Sequence, residues 1–410
     1  MDSRISGFYK LQAGERLGRV VVECGISDEG ARALSEVGLT VEQADGMIEN
    51  AIGTFEVPLG VAVNFQVNGK DYLIPMATEE PSVVAAASNA AKMARAGGGF
   101  KASSTDPIMV GQIQVINPAE DAGMKVLKEK EKLIEEANRV DPTLVKFGGG
   151  VKDITVRDVE GMLVVHLHVN VADAMGANAV NTMCEALAPR IEELSGGEVV
   201  LKILSNYAFE RTARAECRIP ADAVGGEEVV DRIISAYDLA ASDIYRAVTH
   251  NKGVMNGVTA VVLATGNDTR AVEAGCHSYA CKDGRYTSLT RWRRDKDGSL
   301  LGEMEIPVAV GVVGGATRTH PVARSAVKIL GVKTARELGE VLAAVGLAQN
   351  LAALRALAAE GIQKGHMRLH ARNIAVTAGA TEDQVEEVAG RMVDSGRVSV
   401  DEAKKIIEKL

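Results

Sequence analysis

Between Ile108 and Leu204 the chain reads strand, helix, strand, strand, helix, strand, and few folds accommodate that order. Apolar alternation predicts strands over Ile108–Ile116, Val151–Arg157, Met162–Val171 and Glu198–Leu204, and helical spacing predicts Pro118–Arg139 and Ala174–Leu194. The two middle strands form a hairpin turning near Glu160-Gly161. The βαββαβ order is the split-βαβ, ferredoxin-like arrangement, and its length suits a self-contained domain. Its second helix opens at Asp173-Ala174-Met175-Gly176-Ala177-Asn178, directly after an apolar strand. A small turn of this kind lets backbone N–H groups approach a ligand, and the positive end of the helix favours a phosphate. The pattern is not Gly-x-Gly-x-x-Gly, so a dinucleotide held here would sit on another scaffold than a Rossmann turn. A glycine at such a junction is also ordinary turn chemistry.

A chain of 410 residues implies two or three domains. Upstream, a helix is expected over Leu39–Asn50, then a hairpin turning at Asn68-Gly69, then a helix from Pro81 to Gly97. Downstream, the pattern predicts a helix over Val229–Ala247, a short strand at Ala260–Ala264 and a hairpin turning at Asp297-Gly298. An Ala/Leu-rich helical stretch follows over Thr334–Gly361. Two capping-box patterns, Thr381-x-x-Gln384 and Ser399-x-x-Glu402, mark short helices of a terminal subdomain. Aromatic residues make up only 3%, so the core is built from small aliphatics. A net charge of −9 with scattered Lys and Arg argues against a nucleic-acid footprint. Five cysteines without C-x-x-C suit a reducing compartment. No apolar leader and no run of eighteen apolar residues is present, so the expectation is a cytoplasmic protein without a membrane span.

Four polar clusters stand out. Thr78-Glu79-Glu80-Pro81-Ser82 reads either as an acidic first turn that complements a helix dipole or as a proton-delivering carboxyl. The acid role requires burial or a coupled partner to raise a carboxyl from about 4.3. Thr249 to Gly257 is expected as a loop in which Lys252 is either a solvated charge or an electrophilic clamp for an oxyanion. In Gly266-Asn267-Asp268, the aspartate is a turn former or a partner that holds a lysine charged. His366 and His370 share one helix face, but Met367 stands where a metalloprotease needs glutamate. His166 and His168 read as a structural pair on one strand.

Together with Glu49-Asn50-Ala51-Ile52-Gly53 and Val313-Gly314-Gly315-Ala316-Thr317, these clusters occur in the order and near the spacings of 3-hydroxy-3-methylglutaryl-coenzyme A reductases. The chain resembles the soluble second class found in bacteria and archaea. Its one departure in the first motif is Ala51, where the family usually has Val. The resemblance implies an α+β fold. A large, mainly helical substrate domain (1–107 and 206–362) is interrupted by a ferredoxin-like NAD(P)-binding domain (108–205) and followed by a C-terminal flap (363–410). It implies four-electron reduction of the thioester to mevalonate and free coenzyme A with two nicotinamide cofactors, or the reverse oxidation. By resemblance Lys252 stabilises the oxyanion, Asp268 keeps it charged and oriented, Glu80 rather than Glu79 supplies a proton, and His366 protonates the departing thiolate. The same resemblance makes Asp141, Asp173, Met175, Gly176 and Asn178 cofactor contacts, and Ser82, Asn206, Arg246 and Asn256 substrate contacts. Tyr9, beside Lys10, stands where the family places an arginine for coenzyme A phosphates.

Asp141, before Gly148-Gly149-Gly150, matches an acidic position in members that prefer NADH. A carboxylate accepts bonds from ribose hydroxyls and repels a 2′-phosphate, which favours NADH over NADPH. It is also a plain turn aspartate before Pro142. The resemblance further implies an obligate homodimer with sites between subunits, larger assemblies such as a hexamer of dimers, and no metal. Two rival readings are a one-hydride dehydrogenase, for which His366 is dispensable, and a metal-dependent lyase or hydrolase built on His366 and His370. A non-catalytic binding protein has no use for four dispersed polar clusters beside a dinucleotide turn.

Overall fold

Asn68 and Gly69 both take positive φ, 51° and 78°, the two-residue turn whose twist matches paired strands. They join β1 (Leu59–Val67) to β2 (Lys70–Ala77) in a computed structural model of the chain. The structure describes residues 1–36, 38–360 and 362–410, and for 359, 360, 362–369 and 382 it describes the backbone alone. The hairpin opens a six-stranded sheet completed by β3 (Phe100–Ser104), β8 (Thr212–Ile219), β9 (Thr290–Arg294) and β10 (Leu300–Pro307), in the order β2-β1-β3-β8-β10-β9. Two long helices pack into this body, the lysine helix Ile244–Ala264 and the core helix Ala335–Arg355. By length and composition residues 335–358 could cross a bilayer, but 67% of the apolar window is buried inside the fold, as a core helix requires.

The block read as βαββαβ forms the second sheet: β4 (Ile108–Ile116), β5 (Gly150–Val159), β6 (Met162–Asn170) and β7 (Glu198–Ser205). Their order, β5-β6-β4-β7 with every neighbour antiparallel, is the ferredoxin-like one. Met109, Ile113, Leu167, Met183 and Leu187 lie at the centre of a core separate from that of the larger sheet. The turn helix, Ala177–Ser195, lies across this sheet. The fold is therefore α+β with the expected insert, and the helical body around it carries a sheet of its own.

Several expected elements differ. The helix over Leu39–Asn50 shrinks to Val41–Asp45, and 51–58 follows without regular structure. The helix expected from Pro81 begins at Val83, because Ser82 takes φ 74°. Pro118–Arg139 divides into Ala122–Lys128 and Lys130–Val140 around Glu129. The strand at Ala260–Ala264 and the loop over Thr249–Gly257 do not exist: both lie within the lysine helix. There, Asn and Gly propensities are overridden by packing, since a Cβ on Gly257 would stand 2.9 Å from Gln349 Cβ of the core helix. The Thr381 capping box forms, whereas Ser399 accepts only the Glu402 N–H. The expected end of the Ala/Leu-rich stretch at Gly361 lies outside the described residues.

Candidate functional site

Two features of local chemistry bring Glu80 to Lys252. The chain leaves β2 at Ala77 and must reverse into the helix Val83–Arg95. Ser82 makes the turn in the left-handed region, a costly conformation for serine that marks functional sites more often than loops in general. Glu80 is half-buried there with its N–H donating to Thr78 Oγ1 at 3.2 Å, while Glu79 is exposed. On the other side, Asp243 caps the lysine helix by accepting the Arg246 N–H at 2.8 Å. Lys252 and Asn256, one turn apart, share a face of that helix. Lys252 Nζ donates to Glu80 Oε2 at 2.6 Å and Asn256 Nδ2 to Glu80 Oε1 at 3.1 Å.

The opposite face of the same turn is locked. His250, 2% exposed, has Nε2 within 2.8 Å of both Thr290 Oγ1 and Ser288 Oγ and 3.0 Å from Asn350 Nδ2. Burial, helped by the Arg246 charge, pushes its imidazole down to about 3, so it is neutral at physiological pH. Asn251 donates to Thr287 O at 2.8 Å and accepts from Leu289 N at 2.9 Å. These bonds set the rotation of the helix and so aim Lys252 at Glu80. The Lys252 and Glu80 side chains are 60% and 36% exposed in the single chain, so the seclusion expected for the ammonium is not supplied by these elements alone.

Arg246 is half-buried, its basicity lowered by burial, with no ion pair among the described residues. Asn206 is exposed in the turn after β7, its carbonyl against Gly275. That glycine lies on the helix Thr269–Tyr279, which Asp268 caps by accepting the Arg270 and Ala271 N–H groups. Asp268 also meets Arg270 Nε at 3.4 Å, and among the described residues no bond joins it to Lys252 within one chain. The side chain of His366 lies outside the described residues, and His370 is exposed. Among the described residues no cluster of three His, Cys, Asp or Glu has the geometry to hold a metal ion. Tyr9 is 78% exposed with Lys10 Nζ 5.8 Å from its ring.

Asp268 also lines a cleft of about 580 Å³. Its walls are the turn 174–178, the Gly266–Asp268 segment, the Gly311–Gly315 segment and, at one edge, Asp141. The turn is built for close backbone approach: Gly176 has φ 104°, and a Cβ there would stand 2.5 Å from Val171 Cγ1. It begins the turn helix without a side-chain cap, so the first helical N–H groups and the positive helix end face a ligand site with no internal acceptor. That is a fit for a dinucleotide diphosphate. Met175 and Gly176 belong to the wall itself, and Asn178 is exposed on it. Asp173 Oδ1 accepts the Ala335 N–H at 2.8 Å and ties the turn to the core helix. Asp141 caps the short helix Pro142–Lys146 through the Leu144 N–H at 2.9 Å, as a turn aspartate does, and it also lines the cleft.

Sequence reasoning missed Arg211, 3% exposed behind the turn, because an isolated arginine before a strand carries no sign of burial. It missed the anchoring role of His250 and Asn251 as well, having placed them in a loop.

Comparison with known proteins agrees with this fold. A family model described as hydroxymethylglutaryl-coenzyme A reductase matches residues 15–371. The 3-hydroxy-3-methylglutaryl-coenzyme A reductase of Archaeoglobus fulgidus is 57% identical, covering 100% of this chain and 95% of that protein. The solved structure of the Streptococcus pneumoniae reductase superposes with a TM-score of 0.84 at 40% identity, covering 98% of this chain and 99% of that one. The class II enzyme of the same organism, bound to NADPH in open conformations, gives 0.83 at 41% identity over 97% and 99% of the two chains.

Proposed function

Because the chain belongs to the hydroxymethylglutaryl-coenzyme A reductase family and is thereby an NAD(P)H-dependent oxidoreductase, we propose that it converts the thioester to mevalonate and coenzyme A in two reductions at Glu80–Lys252. The observation that carries this reading is the Lys252 ammonium 2.6 Å from Glu80, with Asn256 on the second carboxylate oxygen. A bound reduced nicotinamide supplies one hydride to the acyl carbon in each reduction. Lys252 stabilises the charge that then appears on the carbonyl oxygen, and Glu80 delivers a proton to that oxygen. The hemithioacetal from the first reduction returns its hydroxyl proton to the Glu80 carboxylate as its C–S bond breaks to give an aldehyde, and His366 protonates the thiolate that leaves. The second reduction repeats the oxygen chemistry on the aldehyde. Glu80 lies two residues ahead of the N-cap Ser82, outside the first helical turn, which relieves the dipole objection to an acid role.

In the same reading Arg246, without an ion-pair partner among the described residues, takes the free carboxylate of the substrate, beside Ser82, Asn206 and Asn256. Asp268 bridges the cleft and the lysine once the assembly is complete. The working unit is a homodimer, and dimers assemble further. Ile52 and Phe55, 100% and 94% exposed on the irregular arm 51–58, and Tyr245, 85% exposed on the lysine helix, are apolar surfaces that a second copy would cover. Covering the lysine helix would also seclude Lys252. The chain divides at 108 and 205 into a cofactor-binding insert and a substrate-binding body, supported by the separate core of the insert, with 363–410 as the flap. Asp141 at the cleft edge favours NADH over NADPH, and the compartment is the cytoplasm. The test follows loss of reduced-nicotinamide absorbance with the thioester. Two cofactors consumed per thioester are expected, and a one-to-one ratio overturns the reading.

A further inference from the structure

We propose that Arg211 is a positioning residue for the cofactor: its guanidinium braces the two backbone walls of the cleft and adds positive charge beneath the site of the diphosphate. The inference rests on the reading of the cleft as a dinucleotide site. Arg211 immediately precedes β8, and its own backbone is held by Ala208 O and by the Val308 N–H. Its Nη1 donates to Met175 O at 3.0 Å and its Nη2 to Ala174 O at 3.2 Å; Nη2 also donates to Val310 O. One planar fork thus clamps the turn on one wall and the 308–311 segment on the other. Gly311 makes the clamp possible, since a Cβ there would stand 2.6 Å from Met175 N.

Two consequences follow. In a trans peptide the C=O and N–H point in opposite directions. Holding the carbonyls of Ala174 and Met175 therefore fixes the planes that carry the next amides into the helix N-terminus, where an anion is expected. Secondly, a buried cation is costly unless it is paired, yet all three partners here are neutral carbonyls. The Asp173 carboxylate favours the charged guanidinium through space, but its Oδ1 is spent on the Ala335 N–H rather than on Arg211. The part of the Arg211 charge that Asp173 does not offset acts on the cleft, where low-dielectric walls strengthen its attraction for an anion. Lysine could keep the charge but not the three-way fork.

The experiment measures NADH and NADPH binding by fluorescence, together with steady-state kinetics, for wild type, Arg211→Lys and Arg211→Gln. Arg211→Gln is expected to bind cofactor on the order of ten- to a hundred-fold more weakly, with Arg211→Lys intermediate. The KM for cofactor should rise while the KM for the thioester and the kcat at saturating cofactor stay near wild type. A purely structural brace would instead lower the melting temperature of both variants and leave cofactor binding unchanged in the folded fraction, which overturns the proposal. If neither variant folds, the wild-type protein decides: its slowly exchanging guanidinium protons should shift on NADH addition, and unchanged NMR signals overturn the assignment. Should the wild type bind neither dinucleotide, the reading of the cleft fails rather than the role of Arg211.

Discussion

Replacing Lys252 by Met keeps the length of the stem and removes the ammonium with its charge and N–H donors, and stability and rate should respond very differently. The ion pair is 60% and 36% exposed, and pairs of that kind contribute about 0.2–1 kcal/mol. Glu80 keeps its bond from Asn256 Nδ2 in the variant, and the buried anchors of the helix, His250 and Asn251, are untouched. The melting temperature should therefore move by no more than about 2–4 °C. A fixed donor at a developing oxyanion contributes about 2.7–4 kcal/mol to the barrier, so kcat should fall by about 10²–10³-fold. Differential scanning calorimetry and saturating-substrate turnover on the same preparation measure the two effects. A kcat within about tenfold of wild type would show that Lys252 is not the oxyanion group, because a group acting only in the ground state cannot carry that term. A collapse of the melting transition would instead show that the pair is structural and that the exposure argument is wrong.

Other consequences can be checked separately. His250, held down at about 3 in the folded chain against 6.5 for the free side chain, leaves the unfolded state binding an extra proton throughout that window. Stability is then lost as pH falls from 6.5 towards 3, at up to about 1.4 kcal/mol per pH unit, and urea titrations of His250→Gln should show this component removed. Phe55→Asp, on the exposed arm, should convert the proposed dimer to monomers by light scattering and abolish turnover; a fully active dimer would mean the arm is not the contact. Asp141→Asn keeps a helix cap while removing the charge, so the kcat/KM ratio of NADPH to NADH should rise about tenfold or more. An unchanged ratio would leave Asp141 as a cap alone.

Much of the fold was legible where local rules decide. Asn68-Gly69 and Asp297-Gly298 mark tight turns because their glycines carry positive φ at no steric cost. The strands of the insert show because burial on one face imposes period-two alternation, as in Met162–Asn170. The site was legible as motifs, but its arrangement was not. Thr249–Gly257 looked like a loop because Asn251, Gly253, Asn256 and Gly257 are weak helix formers. What makes it a helix is distant: Thr287, Leu289, Thr290 and Asn350 hydrogen-bond to His250 Nε2 and to Asn251, and Gln349 occupies the space that Gly257 leaves.

By itself, then, the chain's pattern determined the ferredoxin-like insert and the hairpins, because periodicity and turn preference are properties of near neighbours. Only the tertiary structure decided that Lys252 meets Glu80 across 172 positions, that Asp173 accepts the Ala335 N–H of a helix 162 residues away, and that Arg211 is buried behind the turn. Contacts of that range depend on how separate elements pack, and packing leaves no period in the sequence for a local rule to read.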